Sequence, residues 1–322
     1  MEELEKYSYS KLDTFTQCGF KYKLVYVDKK GAFSDNVATV IGKLVHSTEE
    51  AIAKLIQAGE QINYVKLKNN FIVQLTEIEK KFYKDYWTPD KNGMLYKDKV
   101  YSYLDQGIYR LEKFMNAHPT YKIVGIEQSF LFDYNTDKVK LCKFKGFIDR
   151  VFYDTATDKY IIQDIKTYAE PISDDKLATP LQFVFYTLAA KDIWNADPEQ
   201  ISCQYDLPFL DLVQDAGTKG YMTRGISKIE KIFGSIYSND FKPSPSPLCH
   251  WCEFCPSNPN QPEKTKNLCP YYCHWTREKP TFRKENEWQG LENHALVLEH
   301  YLKEHNVKPI EGGELDGKGS IN

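Results

Sequence analysis

Between Tyr121 and Lys166 the chain carries three strand-like runs separated by two turn signals, and this stretch restricts the possible folds most. The runs cover 121–133, 139–153 and 160–166, with Asn135-Thr136-Asp137 and residues 154–158 between them. β-Branched and aromatic residues fill the runs, and Asn, Asp and Thr fill the breaks, as in strands joined by tight turns. The pattern predicts a three-stranded antiparallel meander. Asp149 falls on its second strand, and Asp164-Ile165-Lys166 closes the third. Strand side chains alternate, so Asp164 and Lys166 share one face and Ile165 takes the other. Two carboxylates and an amine in this arrangement suit a divalent metal held against phosphate. A bare Asp…Asp-x-Lys also fits a surface hairpin with cross-strand ion pairs, so the rest of the chain has to decide.

Helical patterns flank the meander. Residues 8–27 predict a helix capped by Ser8 or Ser10, with Leu12, Phe15 and Phe20 buried and Cys18 within it. Residues 37–58 predict an amphipathic helix with Val40, Leu44, Ala51 and Leu55 at helical spacing and with Gly42, His46 and Glu50 on a shared face. A glycine inside a helix costs up to about 1 kcal/mol, and close packing is one reason to accept it. Two more helices are expected at 63–86 and 98–117, with the turn-rich WTPDKNGML between them. After the meander, Thr179-Pro180 opens a helix through Trp194 that carries Gln182 and Tyr186 one turn apart. Residues 201–210 read as a strand able to pair in parallel if that helix carries the chain back across the sheet. A helix from Thr223 to about 237, a stiff KPSPSP connector, a last helix over 284–304 and a disordered tail complete the reading.

Composition excludes several classes. The 322 residues suffice for one elaborate domain or two ordinary ones, and no apolar run is long enough for a membrane span. The first residues lack a signal-peptide pattern, so a cytoplasmic protein is expected, in the host cytoplasm if viral. A net charge of −3 is unlike that of a basic nucleic-acid binder, so any grip on phosphate must be local. Lys21, Lys23, Lys29, Lys30 and Lys43 form one candidate group, and Lys138, Lys140, Lys143 and Lys145 another.

Hydrolysis of a phosphodiester needs an activated water, in-line geometry and compensation of charge on the phosphate, which bound Mg²⁺ or Mn²⁺ can largely supply. Such hard cations take oxygen ligands. Asp149, Asp164 and the backbone carbonyl of Ile165 are candidates, and His46 would add an imidazole that favours tolerance of Mn²⁺. Lys166 would orient or activate water, or stabilise the charged phosphorus centre. Glu127, on the first strand, is a further catalytic candidate.

The ordered set GKLVH (42–46), IE (126–127), GFIDRV (146–151), QDIKT (163–167) and QFVFY (182–186) resembles the RecB-like branch of the PD-(D/E)xK nuclease superfamily. Each motif is weak alone, but the ordered set, within about residues 10–275, is specific. The resemblance implies His46, Asp149 and Asp164 as metal ligands and Lys166 as the catalytic lysine. It also implies that Gln182 and Tyr186 support the site or touch DNA. The third acidic position is Asp164 where many members carry Glu.

Eight cysteines are present, and disulfides are not expected in a reducing compartment. Cys142 and Cys203 lie in apolar runs and read as buried small hydrophobes. Cys249, Cys252, Cys255, Cys269 and Cys273 are dense enough to imply a metal. Zinc would be satisfied by Cys249, Cys252, Cys269 and Cys273. An iron–sulfur cluster also takes four thiolates, which can be distant in sequence. Iron–sulfur members of the RecB-like branch, such as AddB and the CRISPR-associated adaptation nucleases, place one cysteine upstream of the core and three after it. The segment SYSKLDTFTQCGFKYKL, with PSPLCHWCEF and LCPYY, is similar to those segments. The resemblance thereby implies a [4Fe–4S] cluster on Cys18, Cys249, Cys252 and Cys269, with Cys255 and Cys273 unassigned.

The expected architecture is an α/β restriction-endonuclease-like core whose mixed central sheet is flanked by helices. It divides into an N-terminal helical part (1–119) contributing His46 and Cys18, the nuclease core (120–240), a cysteine-rich metal-stapled segment (241–283), and a terminal helix and tail (284–322). The expected function is metal-dependent DNA hydrolysis, exonucleolytic because this branch acts mostly on ends, in repair, recombination or phage DNA processing. There is no Gly-x-x-x-x-Gly-Lys-Ser/Thr loop, so any unwinding belongs to a separate helicase or recombination partner. The alternative is a non-catalytic module that binds DNA ends or docks a partner.

Overall fold

A computed structural model of the protein describes residues 4–31, 36–83, 87, 95–244, 246–255, 258, 262–266, 268–269, 271–273 and 288–290. In chain order its elements are β1 (Lys6–Tyr7), α1 (Tyr9–Gln17), α2 (Gly19–Tyr22), a π-helical turn (Lys23–Val27), α3 (Val37–Ala58), α4 (Tyr64–Lys81), α5 (Tyr96–Asp105) and α6 (Arg110–Ala117). There follow β2 (Tyr121–Tyr134), β3 (Cys142–Asp154), β4 (Lys159–Ile165), α7 (Asp174–Ala178), α8 (Leu181–Trp194), β5 (Ile201–Leu207), β6 (Leu212–Ala216), α9 (Tyr221–Tyr237), β7 (Tyr271–Cys273) and β8 (Trp288–Gly290). The chain forms two compact units: residues 1–9 with 35–231, and residues 10–34 with 232–322.

The first unit is a mixed sheet flanked by helices. β2, β3 and β4 are the expected antiparallel meander, and β5 adds to β4 in parallel, with Ile161 beside Ser202 and Ile165 beside Asp206. The parallel step is possible because α8 returns the chain across the sheet. β6 pairs antiparallel with β5, and β1 pairs in parallel with the start of β3. Neither β1 nor β6 follows from the sequence pattern, because two to five residues are too few for alternation to register.

One core fills the space between the sheet and α3–α6. Ile41, Leu44, Val45 and Ile52 of α3 meet Phe71 and Leu75 of α4, Val100 and Tyr103 of α5, and Ile123, Phe152 and Ile161 of the sheet. The helix over 37–58 has the expected bounds, but its buried stripe is turned: Val40 and Leu55 are half-buried, while Ile41, Val45 and Ile52 are buried. Asn36 caps its start by accepting from the Thr39 N–H at 2.8 Å, and Gly59 ends it in the left-handed region at φ 69°. On α8, Phe185 stacks on Phe144 of β3 with centroids 4.3 Å apart, and Phe183 packs on Tyr205 of β5 at 4.8 Å.

Three expected helices are altered. Residues 98–117 split at Gly107, where an added Cβ would lie 2.5 Å from the Pro208 carbonyl oxygen, so only a bare glycine admits that approach. Residues 8–27 break at Cys18, whose backbone is extended and whose thiol accepts the Lys21 N–H at 3.4 Å, capping α2. Of the expected helix over 284–304, residues 288–290 form β8, paired with β7, and the rest lies outside the described residues, as does the tail. Helix formation there would have to absorb Gly290, at about 1 kcal/mol, whereas Trp288 fits a pleated strand.

Candidate active site

The site lies where β3 and β4 part. The two strands are paired from Asp154–Lys159 to Arg150–Gln163. Beyond that pair the ladder gives way to a side chain: Asp149 Oδ2 accepts the Ile165 N–H at 2.7 Å. One candidate ligand is thereby held by the backbone next to another. Opposite, on β2, the pairs Ile126–Arg150 and Gln128–Ile148 bracket Glu127 and Asp149. Glu127 has φ 44°, a left-handed value uncommon for a side-chain-bearing residue and costing on the order of 1–3 kcal/mol.

α3 delivers His46 to the same point. Its Nδ1 lies 3.6 Å from Asp149 Oδ2, and the Ile165 backbone is within hydrogen-bonding reach of the ring. Donor atoms of His46, Glu127 and Asp149 all lie within 4.8 Å of one another. Gly42, one turn before His46, faces the Thr167 hydroxyl: an added Cβ would sit 3.4 Å from it. Burial lowers the His46 pKa, with the Asp164 carboxylate pulling the other way, so the ring favours the neutral form that a metal ligand needs.

Asp164 is 1% exposed. Its Oδ1 accepts from Gln182 Nε2 at 2.7 Å and from the Tyr186 hydroxyl at 3.1 Å, which explains the one-turn spacing of those residues on α8. Its Oδ2 pairs with Lys166 Nζ at 2.5 Å. Burial is the largest single effect on Lys166 and opposes its charge, but the charge and hydrogen bond of Asp164, with the Asp149 charge, together outweigh it and the net pKa is raised. Burial, followed by the Asp164 charge, pushes Asp149 well above the carboxylate range, and burial followed by Glu50 raises Glu127.

These residues fit a hard divalent cation. The donors are carboxylates and one neutral imidazole, and burial together with the neighbouring Asp164 charge leaves Asp149 short of compensation. The structure brings every sequence-derived candidate of this unit to one place: His46, Glu127 and Asp149 as a close trio, Ile165 against two of them, and Asp164 with Lys166, Gln182 and Tyr186 alongside. Asp164 is outside the close trio and faces Lys166 and α8.

A buried ionic network behind the site has no counterpart in the sequence reading. Arg150 donates to Asp206 Oδ2 at 2.6 Å and to Gln163 Oε1 at 2.9 Å, and faces Glu49 of α3. Tyr103 donates to the other Glu49 oxygen at 2.9 Å, and Arg110 pairs with Asp206 and Asp211. The available signal was a cation at the buried register of an otherwise apolar strand, next to Asp149.

In the second unit, Cys18, Cys249, Cys252, Cys255 and Cys269 line one cleft together with Phe20, Leu24 and Phe254. Cys18 Sγ also accepts from the Ser244 N–H, and Cys249 Sγ from the Ser246 N–H, both at 3.4 Å. Burial pushes the Cys252 thiol up to about 11, so a metal binding there would displace its proton. Cys142 and Cys203, by contrast, are buried in the first unit as expected. The Cys273 side chain lies outside the described residues.

The family model of the PD-(D/E)XK nuclease superfamily matches residues 6–257, and the chain belongs to that superfamily, whose members are nucleases. Among solved structures it is similar to the crystal structure of SSO0001, at 15% identity over 78% of this chain and 84% of that one, with a TM-score of 0.33. No match is found among curated proteins.

Proposed function

We propose that the protein is a Mg²⁺- or Mn²⁺-dependent deoxyribonuclease of the RecB-like branch that degrades DNA from ends. The observation that carries this reading is the convergence of His46, Glu127 and Asp149, from α3, β2 and β3, beside the Asp164–Lys166 pair. His46, Asp149 and Asp164 would hold the ion, with the Ile165 backbone next to them and Glu127 as a further carboxylate. The ion supplies Lewis-acid polarisation of the scissile phosphate and activation of water.

The chain's own groups perform the remaining work. The neighbouring carboxylates favour the ammonium form of Lys166, which would stabilise the negative charge that builds on the phosphate or orient the attacking water. Gln182 and Tyr186 hold one Asp164 oxygen in place and leave the other for Lys166 and the ion. The Ile165 N–H fixes the Asp149 rotamer.

For the second unit we assign Cys18, Cys249, Cys252 and Cys269 to a structural [4Fe–4S] cluster. Backbone N–H donors on Cys18 and Cys249 suit thiolate ligands. The zinc alternative on Cys249, Cys252, Cys269 and Cys273 leaves out Cys18, although Cys18 lines the same cleft. Iron and sulfide assay of anaerobically purified protein separates the two; zinc without iron overturns the cluster.

The functional reading is tested on linear DNA labelled at one end and incubated with Mg²⁺ or Mn²⁺. Progressive shortening from an end, on single or double strands, supports an exonuclease. Internal cuts in circular DNA at equal rates replace it with an endonuclease. A separate helicase or recombination protein would supply unwinding where the substrate is duplex.

A further inference from the structure

Two exposed aromatic side chains stand beside the candidate site and have no role in the reading above. Phe147 is 60% exposed and lies two residues before Asp149, about 7 Å along β3. Tyr168 is 50% exposed and lies two residues after Lys166, and its hydroxyl is among the groups that act on the Lys166 charge. Among the described residues neither ring stacks on another.

The sheet explains the exposure of Phe147. β1 pairs with β3 at Lys143 and Phe144, and β4 begins its pairing at Arg150, so residues 145–148 have no strand partner on that edge among the described residues and Asp149 meets β4 only through its side chain. On the other edge Phe147 is opposite Ser129, whose short side chain covers little of the ring. The exposed Lys145 is one alternation before Phe147, opposite Leu131. Lys145, Phe147 and Asp149 thus place a cation, a bare ring and a candidate metal ligand at successive alternate positions of one strand.

Exposed apolar rings on a folded protein need a reason when they border a polar site. An unpaired nucleic-acid strand offers the flat apolar faces of its bases to such rings, and its phosphates offer negative charge to Lys145 and Lys166. In a duplex those faces are already stacked on one another.

We propose that Phe147 and Tyr168 are the side chains on which the unpaired bases flanking the scissile phosphate stack. This rests on the nuclease reading for the place of the phosphate, but its test does not depend on turnover.

The test is fluorescence-anisotropy titration of the full-length protein in EDTA with a labelled oligothymidylate and with a duplex of equal length. It compares wild type, Phe147→Ala, Tyr168→Ala, the double variant and Phe147→Trp. Each alanine should weaken single-strand binding about tenfold, the double variant more, and Phe147→Trp should keep it. Duplex binding should change less than about twofold, and thermal unfolding midpoints should stay put because both rings are exposed. Unchanged single-strand affinity in both alanine variants overturns the proposal. So does equal loss on duplex, or no measurable binding by wild type. If wild type cuts no DNA yet the alanine variants lose oligonucleotide affinity, the stacking role stands and the nuclease reading falls. If wild type cuts DNA and the affinities are unaltered, the reverse holds.

Discussion

Arg150 and Glu49 meet in the interior of the first unit, Nη1 to Oε2 3.4 Å apart, with 2% and 1% of their side chains exposed. Each is a near neighbour of a candidate ligand: Arg150 follows Asp149 on β3, and Glu49 is three residues beyond His46 on α3. The contact therefore fixes the helix that brings His46 to the strand that brings Asp149. Its other partners, Asp206 and Gln163, extend the tie across β4 and β5.

Replacing Arg150 by Met should destabilise the fold by about 3–5 kcal/mol, since Glu49 would lose its guanidinium partner and Asp206 would keep Arg110 alone. Urea unfolding followed by circular dichroism measures this. A loss under about 1 kcal/mol would show that the network does not hold α3 to the sheet.

Glu49 also predicts a pH effect. Burial outweighs the pull of Arg150 and raises its pKa from 4.5 to about 7 in the folded chain. The folded state then holds a proton that the unfolded state releases above 4.5, so this stabilisation is complete below that pH and is lost as pH rises through about 7. The size is roughly 3 kcal/mol. Glu49→Gln mimics the protonated form, so its stability relative to wild type should rise between pH 5 and 8. A parallel pH profile for the two proteins contradicts this.

Divalent metal should raise the unfolding midpoint, because it binds the clustered carboxylates of the folded state and not the unfolded chain. At a hundred times its Kd the gain is about 2.7 kcal/mol. EDTA should reverse it, and Asp149→Asn should remove most of it. Calorimetry with Mn²⁺ on both proteins is the check; equal stabilisation of the two would move the ion elsewhere.

Gly146 supplies a packing prediction separate from the chemistry. A Cβ added there would lie 2.6 Å from the Phe130 ring, in the part of the hairpin that packs on α8. Gly146→Ala should cost about 1–3 kcal/mol through overpacking, read in denaturant midpoints.

The sequence was most legible where periodicity is long. The meander, the 37–58 helix and the α8 pair Gln182/Tyr186 follow from spacing alone, and the parallel pairing of β5 follows from the intervening helix. The small additions were not legible: β1 and β6 are too short for a pattern, and the breaks at Gly107 and Cys18 come from a distant carbonyl and a capping thiol. The site was legible as a set of residues but not as a geometry. His46 and Asp149 are far apart in sequence, and only the folded chain brings His46, Glu127 and Asp149 within 4.8 Å of one another. The Glu49–Arg150–Asp206 tie escaped because a charged residue reads as surface until its register is known.

Asp164 and Lys166 decide whether the proposed nuclease site works. The most direct measurement is the degradation of labelled linear DNA with Mn²⁺ by wild type, Asp164→Ala and Lys166→Ala, each first shown to be folded by circular dichroism. Wild type should cleave, and both variants should lose at least about a hundredfold. Equal cleavage by all three, or none by folded wild type on single- and double-stranded DNA, would contradict this.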